Sequence, residues 1–166
     1  METYKNIIDF ENYEVSNFGN VRNKKTNKIL KPRIGKDGYH KIDIRKNYKR
    51  YTKKLHRLIA EAFIENLENK SQVDHIDNNK SNNNINNLRW ATSQENNRNR
   101  QLNANNTSGW KGIDFHKKTN KWRAQICIDG ISIHLGLFDN IEDAKQARVI
   151  KANAAFGIYI NSCENH

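Results

Sequence analysis

Hydrophobic residues recur along this chain in two rhythms, and the changes of rhythm mark its elements. In Tyr39-His40-Lys41-Ile42-Asp43-Ile44-Arg45 charged residues alternate with isoleucines, the period of a half-buried strand. Tyr48 to Lys54 reads as its partner strand, with Asn47 in the turn. The period then lengthens. Leu55, Leu58, Ile59, Ala62 and Phe63 fall at i, i+3, i+4, i+7 and i+8, which predicts an amphipathic helix from Leu55 to Ile64. Upstream, Tyr13-Glu14-Val15-Ser16 and Val21 flank a turn at Gly19 and read as two short strands.

Beyond the helix, one apolar run ends at His75 and a second spans Ile85 to Trp90, which predicts two strands around an Asn-rich loop. Thr92-Ser93-Gln94-Glu95 is a capping box, so a helix starts at Ser93 with Asn96 about one turn in. The polar stretch 97–108 reads as the tail of that helix running into a linker. Three strands follow at Trp110 to Phe115, Lys121 to Asp129 and Ile131 to Phe138, with Asp129-Gly130 as a hairpin turn. In the middle strand Trp122, Ala124, Ile126 and Ile128 share one face, and Arg123, Gln125 and Cys127 share the other. Asn140 N-caps a last helix with Asp143 at its third position, alanines 144, 147, 154 and 155 give it a close-packing surface, and Gly157 ends it. The expected class is therefore α+β and modular. It has a basic β-rich module over 1–54, a strand-strand-helix finger over 55–100, a linker over 101–108, and a three-stranded antiparallel sheet packed on one helix over 109–160.

Charge points to the partner. The 166 residues carry 29 Lys and Arg against 18 Asp and Glu, a formal net charge of +11. Residues 20–57 hold 15 of those cations and only two acids, Asp37 and Asp43. A block that one-sided fits a polyanion, which releases counterions when its phosphates are neutralised. A hydrophobic fraction of 36% suffices for small cores only. No apolar run approaches the ~18 residues of a membrane span. METYKNIIDF lacks the layout of a signal peptide. Cys127 and Cys163 stand apart, without the paired spacing of a disulfide framework or a zinc ribbon.

The candidate chemistry sits at Asp74-His75. Phosphodiester hydrolysis needs an activated water, a cation on the scissile phosphate and help for the leaving oxygen. Neutral imidazole accepts a proton near pH 7, and a carboxylate with an amide oxygen suits a hard cation. Adjacent strand residues point to opposite sides, so Asp74 and His75 can serve one phosphate only where the strand ends and twists. The plainer alternative is a pair of ordinary loop residues beside a low-complexity tract, since seven of the ten residues 78–87 are Asn. Val73, Ile76, Ile85, Leu88 and Trp90 punctuate that tract in a strand-like way, which disordered segments lack.

From Leu55 to Arg100 the chain resembles the His-Asn-His (HNH) endonucleases, on Asp74-His75, Asn87-Leu88-Arg89-Trp90-Ala91-Thr92 and Asn96. The resemblance implies His75 as general base, Asp74 and Asn96 as metal ligands, and Asn87 as the middle Asn that braces the loop and orients His75. Asn96 stands where the family commonly has its last His, and oxygen ligation there favours one Mg²⁺ or Mn²⁺ per site over Zn²⁺. Asn12-Tyr13-Glu14-Val15-Ser16-Asn17-Phe18-Gly19-Asn20-Val21-Arg22 resembles the modular domain that precedes the nuclease in such homing enzymes, with Tyr4 in place of a usual Trp. Ser108-Gly109-Trp110-Lys111-Gly112-Ile113, Lys121-Trp122-Arg123-Ala124-Gln125-Ile126 and Leu135-Gly136-Leu137-Phe138-Asp139 resemble the plant APETALA/ethylene-response DNA-binding domain. Asp114, Cys127 and His134 depart from that domain on its reading face.

Together these imply a metal-dependent DNA endonuclease of the homing type, cutting or nicking double-stranded DNA at an extended site and leaving 5′-phosphate and 3′-hydroxyl ends. The expected DNA contacts are Arg22, Lys41, Arg45, Lys49, Arg50, Lys53, Arg89, Arg98, Lys111, His116, Arg123 and Gln125. The expected state is a monomer or weak dimer in the cytoplasm of a phage or mobile-element host (the nucleus if that host is eukaryotic), away from membranes. His40 and His56 read as surface residues, His56 also as a possible lining of the cleft, His166 as a terminal residue, and Trp90, Trp110 and Trp122 as core. Two other classes stay open: a sequence-specific DNA-binding regulator with an inactive finger, and an RNA-binding protein. The intact Asp74, His75 and Asn96 weigh against the first.

Overall fold

The computed structural model describes residues 1–100 and 102–159, so Cys163 and His166 lie outside the described residues. The chain is mixed α+β and divides into two compact units, residues 1–96 and 97–166. In the first unit, β1 (Tyr4–Ile7), β2 (Phe10–Ser16), β3 (Val21–Asn23) and β4 (Ile29–Leu30) form an antiparallel meander. Next come β5 (Arg33–Ile34), β6 (His40–Lys46) and β7 (Lys49–Lys54), a three-stranded antiparallel sheet. Helix α1 (Leu55–Phe63) follows without a break, and then β8 (Gln72–His75) and β9 (Leu88–Ala91) pair as a two-stranded ribbon. Helix α2 (Ser93–Asn99) closes that ribbon.

One hydrophobic core holds all of this. Val15 and Val21 from the meander, Ile42 and Ile44 from β6, Leu55, Leu58 and Ile59 from α1, and Val73 and Leu88 from the ribbon belong to a single buried cluster. Leu55, Leu58 and Ile59 lie on the helical stripe that the periodicity predicts, with Ala62 and Phe63 half-buried at its end. Each fully buried isoleucine or leucine contributes roughly 1.5–3 kcal/mol relative to exposure. The basic module and the finger, read separately in the sequence, therefore share one interior.

Local signals decide the turns. Ser16 is buried and its Oγ accepts from the Phe18 and Asn20 amides, closing the turn between β2 and β3. Asn47 and Tyr48 form the two-residue β6–β7 turn, both at positive φ (50° and 61°). The capping box forms as expected: Glu95 N donates to Thr92 Oγ1 (3.2 Å) and Thr92 N donates to Glu95 Oε2 (2.7 Å). The strand expected over Ile85–Trp90 is shorter. Asn84 accepts from Asn86 N, which sets a 3-10 turn over Ile85–Asn87, and extended backbone starts only at Leu88. An Asx cap outcompetes strand geometry there because it satisfies the backbone locally.

In the second unit β10 (Ile113–His116), β11 (Lys121–Ile128) and β12 (Ile131–Phe138) form an antiparallel sheet, and α3 (Ile141–Phe156) packs on it. The strand expected from Trp110 begins only at Ile113. Trp110 instead packs beside Ile113, Ala124 and Ala144, with Lys145 Nζ 4.8 Å from its ring centre. Asp129 and Gly130 both take positive φ in the hairpin turn, and Asn140 Oδ1 caps α3 by accepting from Asp143 N (2.9 Å). The inner face carries Trp122, Ala124 and Ile126 as the alternation requires, with a bulge between Ala124 and Gln125. The stretch read as a linker is locally tied, since Asn106 Nδ2 donates to the Trp110 carbonyl (2.8 Å). Among the described residues no helix is long and apolar enough to cross a membrane.

Gly112 is the tightest backbone approach in this unit. It has φ of 62°, its carbonyl accepts from Gln125 N (2.8 Å), and an added Cβ would collide with the Gln125 carbonyl oxygen and the Arg148 guanidinium. We expect Gly112→Ala to destabilise the unit by about 1–3 kcal/mol. Hydrogen exchange would show this as protection lost within 97–159 and retained within 1–96.

Candidate active site

Strand β8 is short because its sequence runs from apolar Val73 straight into a turn at Asp77. At its end Asp74 and His75 are adjacent and both buried, each 4% exposed. In mid-strand the pleat would send them to opposite sides, but β8 ends here, and the Asp74 charge acts on both His75 and the neighbouring Tyr39. Asp74 lies opposite Arg89 on β9, and Arg89 Nε and Nη2 both donate to Asp74 Oδ2 (2.9 and 2.8 Å). Arg89, expected to contact DNA, is thus held on the site carboxylate. Gln72 shares the face of Asp74, and Asn96 of α2 donates from Nδ2 to Gln72 Oε1 (2.6 Å). That bond sets the Asn96 amide beside β8 with its Oδ1 as the remaining acceptor. Lys70 fixes α2 further through Glu95 (3.1 Å).

His75 points into a cluster of rings. Its centroid lies 5.0 Å from His56 and 5.9 Å from Tyr39, and the His56 and Tyr39 rings are 4.8 Å apart. His75 Nε2 meets Asn83 Oδ1 at 3.2 Å. The Asn83 amide is oriented independently, because its Nδ2 donates to the Ser81 carbonyl (3.1 Å), which can only accept. Its oxygen therefore faces His75, Nε2 carries the proton, and the lone pair resides on Nδ1. The same Nδ2 lies 3.3 Å from His40 Nδ1. Asn87 holds the loop rather than the ring. Its Nδ2 donates to Asp77 Oδ1 and to the Asn82 carbonyl (both 2.8 Å), and its Oδ1 accepts from Asp77 N (3.1 Å).

Burial lowers the His75 imidazole below its ordinary value, against the opposing pull of the Asn83 bond and the Asp77 and Asp74 charges. At Asp77 burial works against ionisation, but bonds from Asn82, Asn79 N and Asn87 prevail and hold the carboxyl below the usual range. Of the two places expected for His56, the helix surface and the lining of the cleft, the fold selects the second. It is 4% exposed, because α1 turns it under His75, and among the described residues its Nδ1 has no hydrogen-bond partner. Burial first, then the neighbouring His75, push it down to about 3. Asn83 and Tyr39 are the site residues that sequence reasoning missed. Asn83 was hidden in the Asn tract, and Tyr39 comes from an element that only the fold brings to the site.

The expected DNA contacts separate by face. Cross-strand pairing puts Lys41, Arg45 and Arg50 on the outer side of the β5–β7 sheet, and Lys49 and Lys53 on the side of Ile42 and Ile44. Lys41 pairs with Asp37 (3.2 Å), and Arg50 and Arg33 pair with Asp43. Arg22 pairs with Glu14 (2.9 Å) and lies 3.9 Å over the Tyr4 ring. In the second unit His116, Arg123 and Gln125 share the outer face of the sheet, with Arg123 on Asp114 (3.0 Å). Arg98 pairs with Asp129 (3.2 Å), and Lys111 Nζ donates to the Arg98 carbonyl (2.8 Å).

A two-stranded ribbon closed by a capped helix, with Asp-His at the strand end and Asn on the helix, defines a ββα-finger protein. The chain belongs to the HNH endonuclease family. Residues 53–98 match the HNH endonuclease family itself, and residues 2–45 match the NUMOD4 motif. The chain is 30% identical over 131 residues to the H-N-H endonuclease F-TflII of Escherichia phage T5, covering 78% of this chain and 68% of that protein. It is 47% identical over 94 residues to the DNA endonuclease I-HmuI of Bacillus phage SP01, covering 56% of this chain and 54% of that protein. A solved structure of the HNH homing endonuclease I-HmuI superposes with a TM-score of 0.58 at 35% identity, covering 87% of this chain and 82% of that one. The chain spans about half or less of the length of the first curated relatives it matches.

A histidine that titrates near 3 when folded and 6.5 when unfolded takes up its proton only on unfolding between those limits. Stability from His56 is therefore complete above pH 6.5 and declines as pH falls, by up to about 1.4 kcal/mol per pH unit. Urea denaturation of residues 1–96 in the full chain should show a greater loss from pH 7 to pH 5 for wild type than for His56→Gln. Equal losses would mean that His56 is not buried neutral.

Proposed function

We propose that this protein is a metal-dependent DNA endonuclease of the homing type, hydrolysing a phosphodiester of double-stranded DNA at an extended site by a nick or a double-strand break. The observation that carries this reading is the layout of the finger: Asp74 and a neutral imidazole at His75 buried together at the end of β8, with the Asp74 charge acting on His75, and Asn96 of α2 tied to the same strand through Gln72. With its proton held on Nε2 by Asn83, His75 takes the proton of the attacking water on Nδ1. Asn87 and Asp77 keep the intervening loop rigid, so that His75 and Asn83 stay in register. Arg89 fixes the rotamer of Asp74.

The donor set fits a hard divalent cation. Among the described residues no three His, Cys, Asp or Glu side chains form a metal-holding group. The likeness to the HNH endonucleases implies Asp74 and Asn96 as the residues that would hold it, through carboxylate and amide oxygen, which suits Mg²⁺ or Mn²⁺. Such an ion supplies charge stabilisation at the scissile phosphate. Both flanking surfaces support an extended site: the basic β5–β7 sheet, and the outer face of the second unit, whose three strands on one helix suit a DNA-binding module of the APETALA/ethylene-response kind. One finger per chain suits a nicking monomer, or a weak dimer for double-strand cutting. The same reading expects the protein in the cytoplasm of its host cell, or in the nucleus if that host is eukaryotic.

Supercoiled plasmids carrying a library of candidate host sequences, incubated with Mg²⁺ or Mn²⁺, test this. Open circles or linear product should form, disappear with EDTA, and fall by at least about a hundredfold in His75→Ala. Salt-sensitive binding without cleavage would instead identify a DNA-binding regulator with an inactive finger. Because burial lowers the His75 imidazole, cleavage should hold its plateau below pH 6.5 before declining; a decline already complete at pH 6.5 would remove His75 as the base.

A further inference from the structure

The hairpin joining β6 and β7 is built against its own stability, and the matches to NUMOD4 and to the HNH family stop on either side of it, at residue 45 and from residue 53. Its two-residue turn puts Tyr48 at φ of 61°, a position that glycine normally fills because a Cβ is disfavoured there. The Tyr48 side chain is fully exposed, at 106%. Behind it Lys46 lies directly opposite Lys49, and Arg45 directly opposite Arg50. Like charges facing each other across strands repel. Asp43 is the acid on this ribbon, and Arg33, Arg50 and Thr52 already donate to its carboxylate. Lys46 and Lys53 lie 5.9 and 5.4 Å from the Phe10 ring, which stiffens the ribbon beneath its tip. A strained, exposed aromatic ring at the apex of paired cations has no use within the fold. Strain of this kind marks a functional position.

We propose that the β6–β7 hairpin is a probe that inserts Tyr48 against a base step of duplex DNA, while Arg45, Lys46, Lys49 and Arg50 grip the flanking phosphates. The proposal rests on the DNA reading above and adds its contact mode. The cations remove their mutual repulsion by meeting phosphate, and the ring, held out of the fold by the left-handed turn, stacks on a partly unstacked base. Stacking on bases tolerates sequence variation, so this contact supports bending and grip rather than base-edge readout.

The test uses the full chain carrying His75→Ala to prevent cutting, and duplexes that this chain selects from a random-sequence pool. Tyr48→Gly relaxes the turn and should keep or raise the melting temperature while weakening binding about tenfold. Tyr48→Trp should bind as the parent does. Thymines at the contacted step should react with permanganate in the parent complex and not with Tyr48→Gly. Equal binding and equal permanganate patterns for Tyr48→Gly and the parent would overturn insertion and leave the nuclease reading intact. Failure to select any duplex, or selection of structured RNA only, would overturn both.

Discussion

Helix α1 carries the first unit because three surfaces need its one apolar stripe. Leu55, Leu58 and Ile59 lie at the junction of the meander, the basic sheet and the ribbon that ends in Asp74-His75. Neither the basic sheet nor the two-stranded ribbon is large enough to bury a core alone, and an isolated two-stranded ribbon is marginal in water. The helix resolves this by lending one stripe to all of them. The cations of the basic sheet and the proposed base are consequently parts of one compact unit, and the finger inherits its position from the sheet that carries the charge.

The same packing sets the chemistry. Because α1 starts directly after β7, His56 is turned inward beneath His75, and the two imidazoles share a low-dielectric pocket with Tyr39. Burial holds both rings neutral, and Asn83 then chooses which nitrogen of His75 bears the proton. At Asp74 a different logic applies. Asp74 is buried too, and Arg89 pairs with its carboxylate from both Nε and Nη2. One strand end thus holds an Arg-paired carboxylate beside an imidazole that burial keeps neutral.

The Asn-rich loop between β8 and β9 is the least legible part of the sequence and among the most ordered parts of the site. Seven Asn in ten residues look like compositional bias. In the fold they are distinct: Asn84 caps the 3-10 turn, Asn82 and Asn87 hold the Asp77 carboxylate, and Asn83 reaches His75. Side-chain amides form local turns readily, so composition alone does not separate a structured Asn tract from a disordered one.

The sequence by itself determined whatever depends on neighbours along the chain. The 3.6-residue stripe of α1, the alternation of β6, the Thr92-Glu95 capping box, the Asp129-Gly130 turn and the Asn140 cap are all local agreements between side chain and backbone, and each is present. So is the spacing of Asp74, His75 and Asn96 that marks the family. The tertiary structure alone decided how distant segments meet. It buried His56, gave the ring of His75 to Asn83 rather than Asn87, drew Arg89 onto Asp74, and divided the cations of β6 and β7 between two faces. Those outcomes depend on register and packing between elements far apart in the chain. Hydrophobic periodicity reports which face of an element is covered, but not by what.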